Sequence, residues 1–181
     1  MERINVFRKV MVLAGCAALI CAANIGESQA ATTATASSTG TVIQPLSIAK
    51  VLDLSFGKFM AGASIGTVVV STSNAQTVSG GVTTTAALGA SAKAATFTVT
   101  GEPNATYAIS YPNTTTLTGA GAPLTLDTFT NAVDVGTVAA GVGTLPASGP
   151  QVLSVGATAH VAASQAAGVY SGSFDVMVVY N

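Results

Sequence analysis

The sequence predicts an all-β fold, an antiparallel β-sandwich with Greek-key connections, and three observations lead to this prediction. Apolar and polar residues alternate with a period of two in several short segments. Glycine, proline and asparagine clusters separate these segments. No segment has the apolar periodicity of an amphipathic helix. About eight or nine strands are expected, and a closed β-barrel is the alternative arrangement.

Composition limits the classes of function. The chain has 181 residues, of which 49% are hydrophobic and 7% are charged, and its net charge is −1. This length suits one domain, and the high hydrophobicity argues against intrinsic disorder. A chain with so little net charge has no electrostatic basis for binding nucleic acid or an anionic membrane surface.

Residues 1–30 have the pattern of a signal peptide. A basic start is followed by an apolar run over residues 10–25, and Ser28-Gln29-Ala30 supplies the small residues of a cleavage site. Cleavage between Ala30 and Ala31 is therefore expected. The protein would then be exported to the periplasm, the cell surface or the extracellular space, with no membrane insertion after cleavage.

A lipoprotein signal is the alternative interpretation of this segment. Leu13-Ala14-Gly15-Cys16 matches a lipobox, in which Cys16 would become the lipidated first residue. The other cysteine, Cys21, also lies within residues 1–30. Cleavage after Ala30 would therefore leave no disulfide, no thiol nucleophile and no thiolate metal site.

The rest of the chain divides into an arm and a domain. Residues 31–41 are predicted to form a flexible N-terminal arm, because they are uncharged and consist of Ala, Thr, Ser and Gly. Residues 42–181 are predicted to form the β-domain. Pro45 has no N–H for a sheet, so the first strand is placed at an edge. The predicted strands are residues 46–48, 52–56, 67–71, 97–100, 107–111, 124–126, 153–161 and 174–180.

Two features could suggest hydrolysis, but neither has the context that catalysis needs. Gly62-Ala-Ser64-Ile-Gly66 fits the G-x-S-x-G pattern of serine hydrolases, which requires a helix after the serine. Thr-Val-Val-Val follows instead and predicts a strand, so a turn is expected at the motif. His160 is the only histidine, and it is predicted to face solvent because it lies opposite the apolar face of its strand.

The remaining ionisable and aromatic residues predict no cofactor and no metal site. Acidic residues after position 30 are dispersed, although Asp127 and Asp134 could meet across a loop. Tyr107 and Tyr111 share a strand face, which suits core packing better than the stacking of sugars. No catalytic, cofactor-binding or metal-binding residue is therefore predicted, and the protein is not expected to be an enzyme.

The C-terminal strand is the most informative feature of the chain. One of its faces carries Phe174, Val176, Val178 and Tyr180. An exposed apolar strand promotes aggregation unless it is covered. This strand must therefore pair either with its own sheet or with another chain.

Eight short stretches follow one another along the chain. They are Pro45-Leu-Ser-Ile48, Leu52-Asp-Leu-Ser-Phe-Gly57, Gly66-Thr-Val68, Phe97-Thr-Val-Thr-Gly101, Tyr107-Ala-Ile-Ser-Tyr-Pro112, Val155-Gly-Ala157, Ala167-Gly-Val-Tyr-Ser-Gly172 and the terminal Val179-Tyr180. In this order they resemble the bacterial family called domain of unknown function 4402, over nearly all of the chain after the signal. The resemblance implies an exported, immunoglobulin-like β-domain and no activity.

The C-terminus also resembles the subunits of chaperone–usher pili. Gly168 is the fourteenth residue from the end and Tyr180 is the second-to-last. This resemblance implies an incomplete sandwich, whose groove receives a periplasmic assembly chaperone and then the N-terminal arm of another copy. The assembly strand would consist of Gly168, Phe174, Val176, Val178 and Tyr180.

The function expected from these features is that of a non-enzymatic, exported structural or adhesive protein, a fimbrial subunit that assembles by β-strand addition. Its expected partners are copies of itself and a periplasmic chaperone, with no nucleic acid. The alternative is a self-complete secreted or lipid-anchored β-sandwich that binds a ligand.

Overall fold

The computed structural model describes residues 31–85, 91–133 and 141–181. The predicted signal peptide, its cleavage residue Ala30, the lipobox cysteine Cys16 and the acidic residue Asp134 lie outside these ranges. Ala31, on the other side of the predicted cleavage site, is exposed and belongs to no strand.

The described residues form ten strands and no helix, which confirms the all-β prediction. They are β1 (Ser47–Leu52), β2 (Met60–Val70), β3 (Gln76–Thr83), β4 (Ala95–Thr100), β5 (Thr106–Ser110), β6 (Thr115–Leu117), β7 (Leu124–Val133), β8 (Val142–Thr144), β9 (Gln151–Val161) and β10 (Met177–Tyr180). Seven of these strands form one sheet, and β10, β5 and β8 form a second. Every pairing is antiparallel.

Strand β9 is the central strand of the large sheet. It pairs with β7 along one edge. On the other edge it pairs first with β4, from Gln151 to Val155, and then with β2, from Ala157 to Val161. Gly156 lies at this change of partner, where a Cβ would overlap the carbonyl oxygen of Val70. The outer strands of the sheet are β1, β3 and β6.

The core consists of two hydrophobic clusters. The first is built on the large sheet and includes Val68, Leu126 and Ala159. The second joins side chains of both sheets, such as Leu153 of the large sheet and Tyr107 of the small one. The two sheets therefore share one cluster, as burial of their apolar faces requires.

Several sequence predictions of individual strands are confirmed, and others are wrong. The predicted inward face of β9 is buried throughout. Residues 52–56 are not a continuous strand, since Ser55 forms only an isolated bridge with Lys93. The predicted turn at residues 62–66 is wrong, because β2 continues through it with a register shift. Strands β3, β6 and β8 were not predicted.

Pro45 predicted that the first strand lies at an edge of a sheet. Strand β1 agrees with this prediction, because it pairs with β4 and lies at the end of the sheet order. The two sheets are separate in the described ranges, which is not the arrangement of a closed barrel. The strand order does not establish an immunoglobulin-like Greek-key topology, so that assignment stays a prediction.

The chain divides into two compact units, residues 1–40 and residues 41–181. Within the first unit, residues 31–40 are exposed and form no regular secondary structure.

Candidate functional site

A groove of about 880 Å³ opens on the surface of the domain. Two segments line it, residues 52–61 and residues 165–174, together with side chains from β1, β4, β6 and β7. The aromatic lining residues are Phe56, Phe59, Phe97, Tyr170 and Phe174, and the leucines are Leu52, Leu54, Leu117, Leu124 and Leu126. An apolar groove of this size resembles a binding site in its volume and lining.

Charged groups are few at the groove. Lys50 and Asp53 form an exposed ion pair with an Nζ–Oδ1 distance of 2.6 Å, and Lys58 also lines the site. An exposed pair of this kind contributes little to stability. The apolar lining therefore dominates what the groove can bind.

Within this wall, residues 53–59 connect β1 to β2 outside the strands of the large sheet, for a local reason. Gly57 has a φ of 70°, in the left-handed region that favours glycine. Between β1 and β2, Ser55 forms an isolated bridge with Lys93, with both N–O distances at 2.8 Å. This wall therefore contributes side chains to the groove without continuing the strand order.

The second lining segment, residues 165–174, overlaps the terminal segment, residues 168–180. Exposure alternates along it, so that Phe174, Val176, Val178 and Tyr180 are half-buried and the residues between them are exposed. This confirms the predicted face, although only Met177–Tyr180 forms a strand. Phe174 lines the groove and packs on Phe129, with ring centroids 5.0 Å apart. Gly168 is exposed and lines the groove as well.

The terminal segment has its main-chain partners at two places. Ser171 and Thr118 exchange two hydrogen bonds of 2.9 Å. Strand β10 pairs with β5, where Val178 lies opposite Ile109 and Tyr180 opposite Tyr107. Between these places, residues 172–176 belong to no strand, and within the described chain β10 has β5 as its only strand partner.

Tyr180 connects the two ends of the domain through its hydroxyl group. That hydroxyl donates a hydrogen bond to the carbonyl oxygen of Gln44 at 2.8 Å and accepts one from the N–H of Glu102 at 2.6 Å. The N–H of Gln44 in turn donates to the carboxylate of Glu102 at 2.9 Å. Both main-chain groups of Gln44 are thereby bound. We call this set of three residues the Tyr180 clasp.

The residues before the clasp are exposed. Val42 is 98% exposed and Ile43 is 55% exposed, so the domain leaves both of these large apolar side chains largely uncovered.

Ser64 does not lie in the geometry of a serine hydrolase. It lies within β2, at the register shift between Ala61 and Gly66, and its carbonyl oxygen closely approaches Gly81 of β3. A nucleophile elbow is a sharp turn between a strand and a helix. The motif is therefore part of an irregular strand pair and not an elbow.

His160 faces solvent, as predicted, but it has a partner that the sequence did not indicate. Its Nε2 lies 2.9 Å from Oδ2 of Asp127 on the neighbouring strand β7. The hydrogen bond from His160 is the main cause that lowers the pKa of Asp127, and a hydrogen bond from Thr128 adds to it. The predicted meeting of Asp127 with Asp134 involves a residue outside the described ranges.

Tyr107 and Tyr111 are core residues and not an exposed platform for sugars. Tyr107 is fully buried and donates a hydrogen bond to Gln151. Tyr111 stacks on Phe129 with ring centroids 5.9 Å apart. Burial raises the pKa of Tyr111, and nearby Tyr107 raises it further. In the described chain its hydroxyl is buried without a hydrogen-bond partner.

Metal-binding clusters and membrane-spanning helices were the subject of two further observations on the described residues. No group of three His, Cys, Asp or Glu side chains in them is arranged to hold a metal ion. Among the same residues, no helix has the length and apolarity needed to cross a membrane.

The sequence did not predict the groove or the clasp. Phe56 and Phe59 were visible as apolar residues around Gly57, and this break in alternation was the one available signal that the wall leaves the sheet. The clasp had no such signal, since it joins residues that are 58, 78 and 136 positions apart.

Comparison with known proteins agrees with one of the two resemblances. The family model described as Domain of unknown function (DUF4402) matches residues 46–180. No curated protein and no solved structure matches the chain. The resemblance of the terminal strand to pilin subunits stays a prediction.

Proposed function

Because the chain belongs to the DUF4402 family, whose description assigns no activity, we propose a function from the groove itself: an exported, non-enzymatic structural subunit that takes up a β-strand from another chain. In this proposal the domain is an immunoglobulin-like sandwich with an open side, and uptake of a strand completes it. Assembly of many copies would give a fimbria-like polymer, with a periplasmic chaperone covering the groove beforehand.

One observation carries the proposal, namely the apolar groove beside main chain that lacks a strand partner. The groove of about 880 Å³ borders residues 172–174, which form no ladder within the described ranges, and the Thr115 hydroxyl donates a hydrogen bond to the Ser173 carbonyl oxygen. An added strand could make main-chain hydrogen bonds with such a segment and place alternate side chains in the groove. Main-chain pairing and apolar burial at one place are what strand addition requires.

The exposed N-terminal arm supports the same proposal. Residues 31–41 are exposed and form no regular structure, and Val42 and Ile43 next to them expose large apolar side chains. An uncharged, extended segment can join a sheet edge without placing a charge in the groove. Its small alanine and threonine side chains would fill the groove only partly, so we expect the uptake to rely strongly on main-chain hydrogen bonds.

Surface extracts of cells that express the protein test the proposal on denaturing gels. Unheated samples should give a ladder of multimers that collapses to one band on boiling, because a strand held by a full ladder of hydrogen bonds dissociates slowly. A single monomer band in unheated samples would contradict polymer formation.

Two matched variants connect this ladder to the groove. Val169 is 87% exposed and lines the groove, whereas Ile65 is 75% exposed and does not. Val169→Asp should abolish the ladder, because a carboxylate in the groove opposes an apolar strand. Ile65→Asp should keep it. Equal ladders in both variants would show that the groove is not the binding site.

The volume and lining of the groove also favour a second candidate, a self-complete domain that binds an apolar small molecule. This candidate predicts a monomer that binds a fluorescent fatty acid, and loss of that binding in Val169→Asp. The two candidates therefore differ in oligomeric state, and one set of variants separates them.

A further inference from the structure

The Tyr180 clasp and the groove lie at opposite ends of the same strand pair. Strand β1 pairs with β4 from Ser47, opposite Thr100, to Leu52, opposite Thr96. Glu102, which belongs to the clasp, follows Thr100, whereas Leu52 lines the groove. A strand rises about 3.3 Å per residue, so Gln44 is separated from the first groove residue of β1, Lys50, by roughly 20 Å and from Leu52 by roughly 25 Å.

The length of the arm would allow it to reach the groove of its own domain. Residues 31–43, fully extended, span on the order of 40 Å, which exceeds that separation. A segment attached to the same chain also has a high effective concentration at its own groove. Arm length therefore does not prevent insertion into the groove of the same domain. Another structural feature must favour insertion into a second copy.

Entry into the groove of the same domain requires the chain to reverse direction at the start of β1. The clasp opposes this reversal, because it binds both the N–H and the C=O of Gln44. Pro45 opposes it as well, since proline has a fixed φ and restricts the preceding residue to extended conformations. Gln44 is therefore held in line with β1.

The site of the clasp is shaped for a close approach of the hydroxyl. Gly101 lies directly beside it, and a Cβ at this position would overlap the Tyr180 hydroxyl. The ring of Tyr180 packs on the second cluster, whereas its hydroxyl serves only the main chain of Gln44 and Glu102. The substitution Tyr180→Phe keeps the ring and removes the hydroxyl, so it separates the contributions of the two.

We propose that Tyr180 is a positioning residue whose hydroxyl, by holding Gln44 in line with β1, directs the N-terminal arm into the groove of a second copy and away from its own. This role rests on the strand uptake proposed above. The terminal segment would then act both in receiving and in donating an arm. Phe174 borders the groove that receives an arm, and Tyr180 sets the direction of the arm that is donated.

The first test asks whether the clasp restrains the main chain, and it does not depend on assembly. Amide hydrogen exchange of Glu102 and Gln44 is compared in the exported protein and in its Tyr180→Phe variant. Loss of the hydroxyl should accelerate exchange at both amides roughly fivefold, the change that loss of one typical hydrogen bond gives to an opening equilibrium. Tyr111→Phe is the matched control, because it removes a hydroxyl from the same cluster and should leave both amides unchanged.

The second test follows the arm with a disulfide. Cysteines are placed at Ser37 in the arm and at Val169 on the groove, and non-reducing gels separate disulfides within one chain from disulfides between chains. The parent should form them between chains. Tyr180→Phe should raise the ratio of intrachain to interchain product roughly fivefold, and Gly101→Ala, which displaces the hydroxyl, should act in the same direction.

Each outcome of the two tests is decisive. An unchanged ratio in Tyr180→Phe, or intrachain disulfides already dominant in the parent, would overturn the positioning role while strand uptake by the groove still stood. Absence of both kinds of disulfide in the parent would overturn strand uptake itself, and the positioning role with it. Unchanged exchange at Glu102 would show that the clasp does not restrain the main chain, whatever the assembly state.

Discussion

Strand β9 and the terminal segment, residues 168–180, have similar apolar patterns but very different surroundings. Both alternate apolar side chains along one face. The inward residues of β9 are at most 2% exposed, and the strand has partners on both edges. The inward residues of the terminal segment are only half-buried, and its main chain is paired along a part of its length.

The difference shows what an alternating pattern can and cannot predict. Alternation fixes which side chains face the core, because the pleat of a strand has a period of two. It contains no information about how many strands lie beside the segment or whether a groove is left between them. Two segments of the same pattern can therefore be the buried centre of a sheet and the half-buried border of a groove.

The largest expected effect is at the centre of β9. Leu153 is fully buried in the second cluster, so Leu153→Ala removes apolar contacts and leaves a cavity. The free energy of unfolding should fall by about 2–5 kcal/mol, as measured by urea denaturation. A loss below about 1 kcal/mol would mean that β9 is not the rigid centre of the domain.

At the groove, the corresponding truncation should have a smaller effect on stability and a larger one on assembly. Phe174 is half-buried and packs on Phe129, so Phe174→Ala should lower the free energy of unfolding by about 1–3 kcal/mol. It should also remove the multimer ladder. Met177, 61% exposed on the opposite face, provides the control, since Met177→Ala should change stability by less than about 0.5 kcal/mol and keep the ladder.

Strand β9 and the terminal segment also show how much of the fold could be predicted from the sequence. The face of β9 and the face of the terminal segment followed from alternation and were confirmed. The all-β class followed from the turn residues between strands. Alternation at Leu54 and Phe56 gave a wrong strand, because Gly57 in a left-handed conformation and a single bridge at Ser55 remove this wall from the sheet.

The clasp and the groove could not be predicted for a physical reason. They depend on contacts between segments that are distant in the chain, such as Gln44 with Tyr180, and only the closed fold brings these together. A tyrosine near a terminus indicates an apolar ring with a polar end, but not the main-chain group that its hydroxyl will bind.

Tyr111 is a position at which a substitution should increase the stability of the domain. Its hydroxyl is buried without a hydrogen-bond partner in the described chain, and a buried polar group without a partner is destabilising. Tyr111→Phe should therefore raise the free energy of unfolding by about 1 kcal/mol, as urea denaturation would measure. A decrease would indicate that the hydroxyl has a partner that forms in solution.

The smallest expected effect lies on the outward face of β9 itself. His160 and Asp127 form an exposed pair with a distance of 2.9 Å. Because the pKa of Asp127 is lowered in the folded protein, the stability that this group contributes is present above its unfolded pKa of about 4 and is lost as the pH falls through the lower folded value.

His160→Gln should accordingly lower the free energy of unfolding by less than about 0.5 kcal/mol near pH 6, and the difference from the parent should vanish near pH 2. Urea denaturation at the two pH values measures both quantities. Lys50→Gln, which removes the exposed ion pair between Lys50 and Asp53, is a control for general effects of charge. A His160→Gln effect comparable to that of Leu153→Ala would contradict the view that β9 stabilises the domain through its inward face, because the two side chains lie on opposite faces of the same strand.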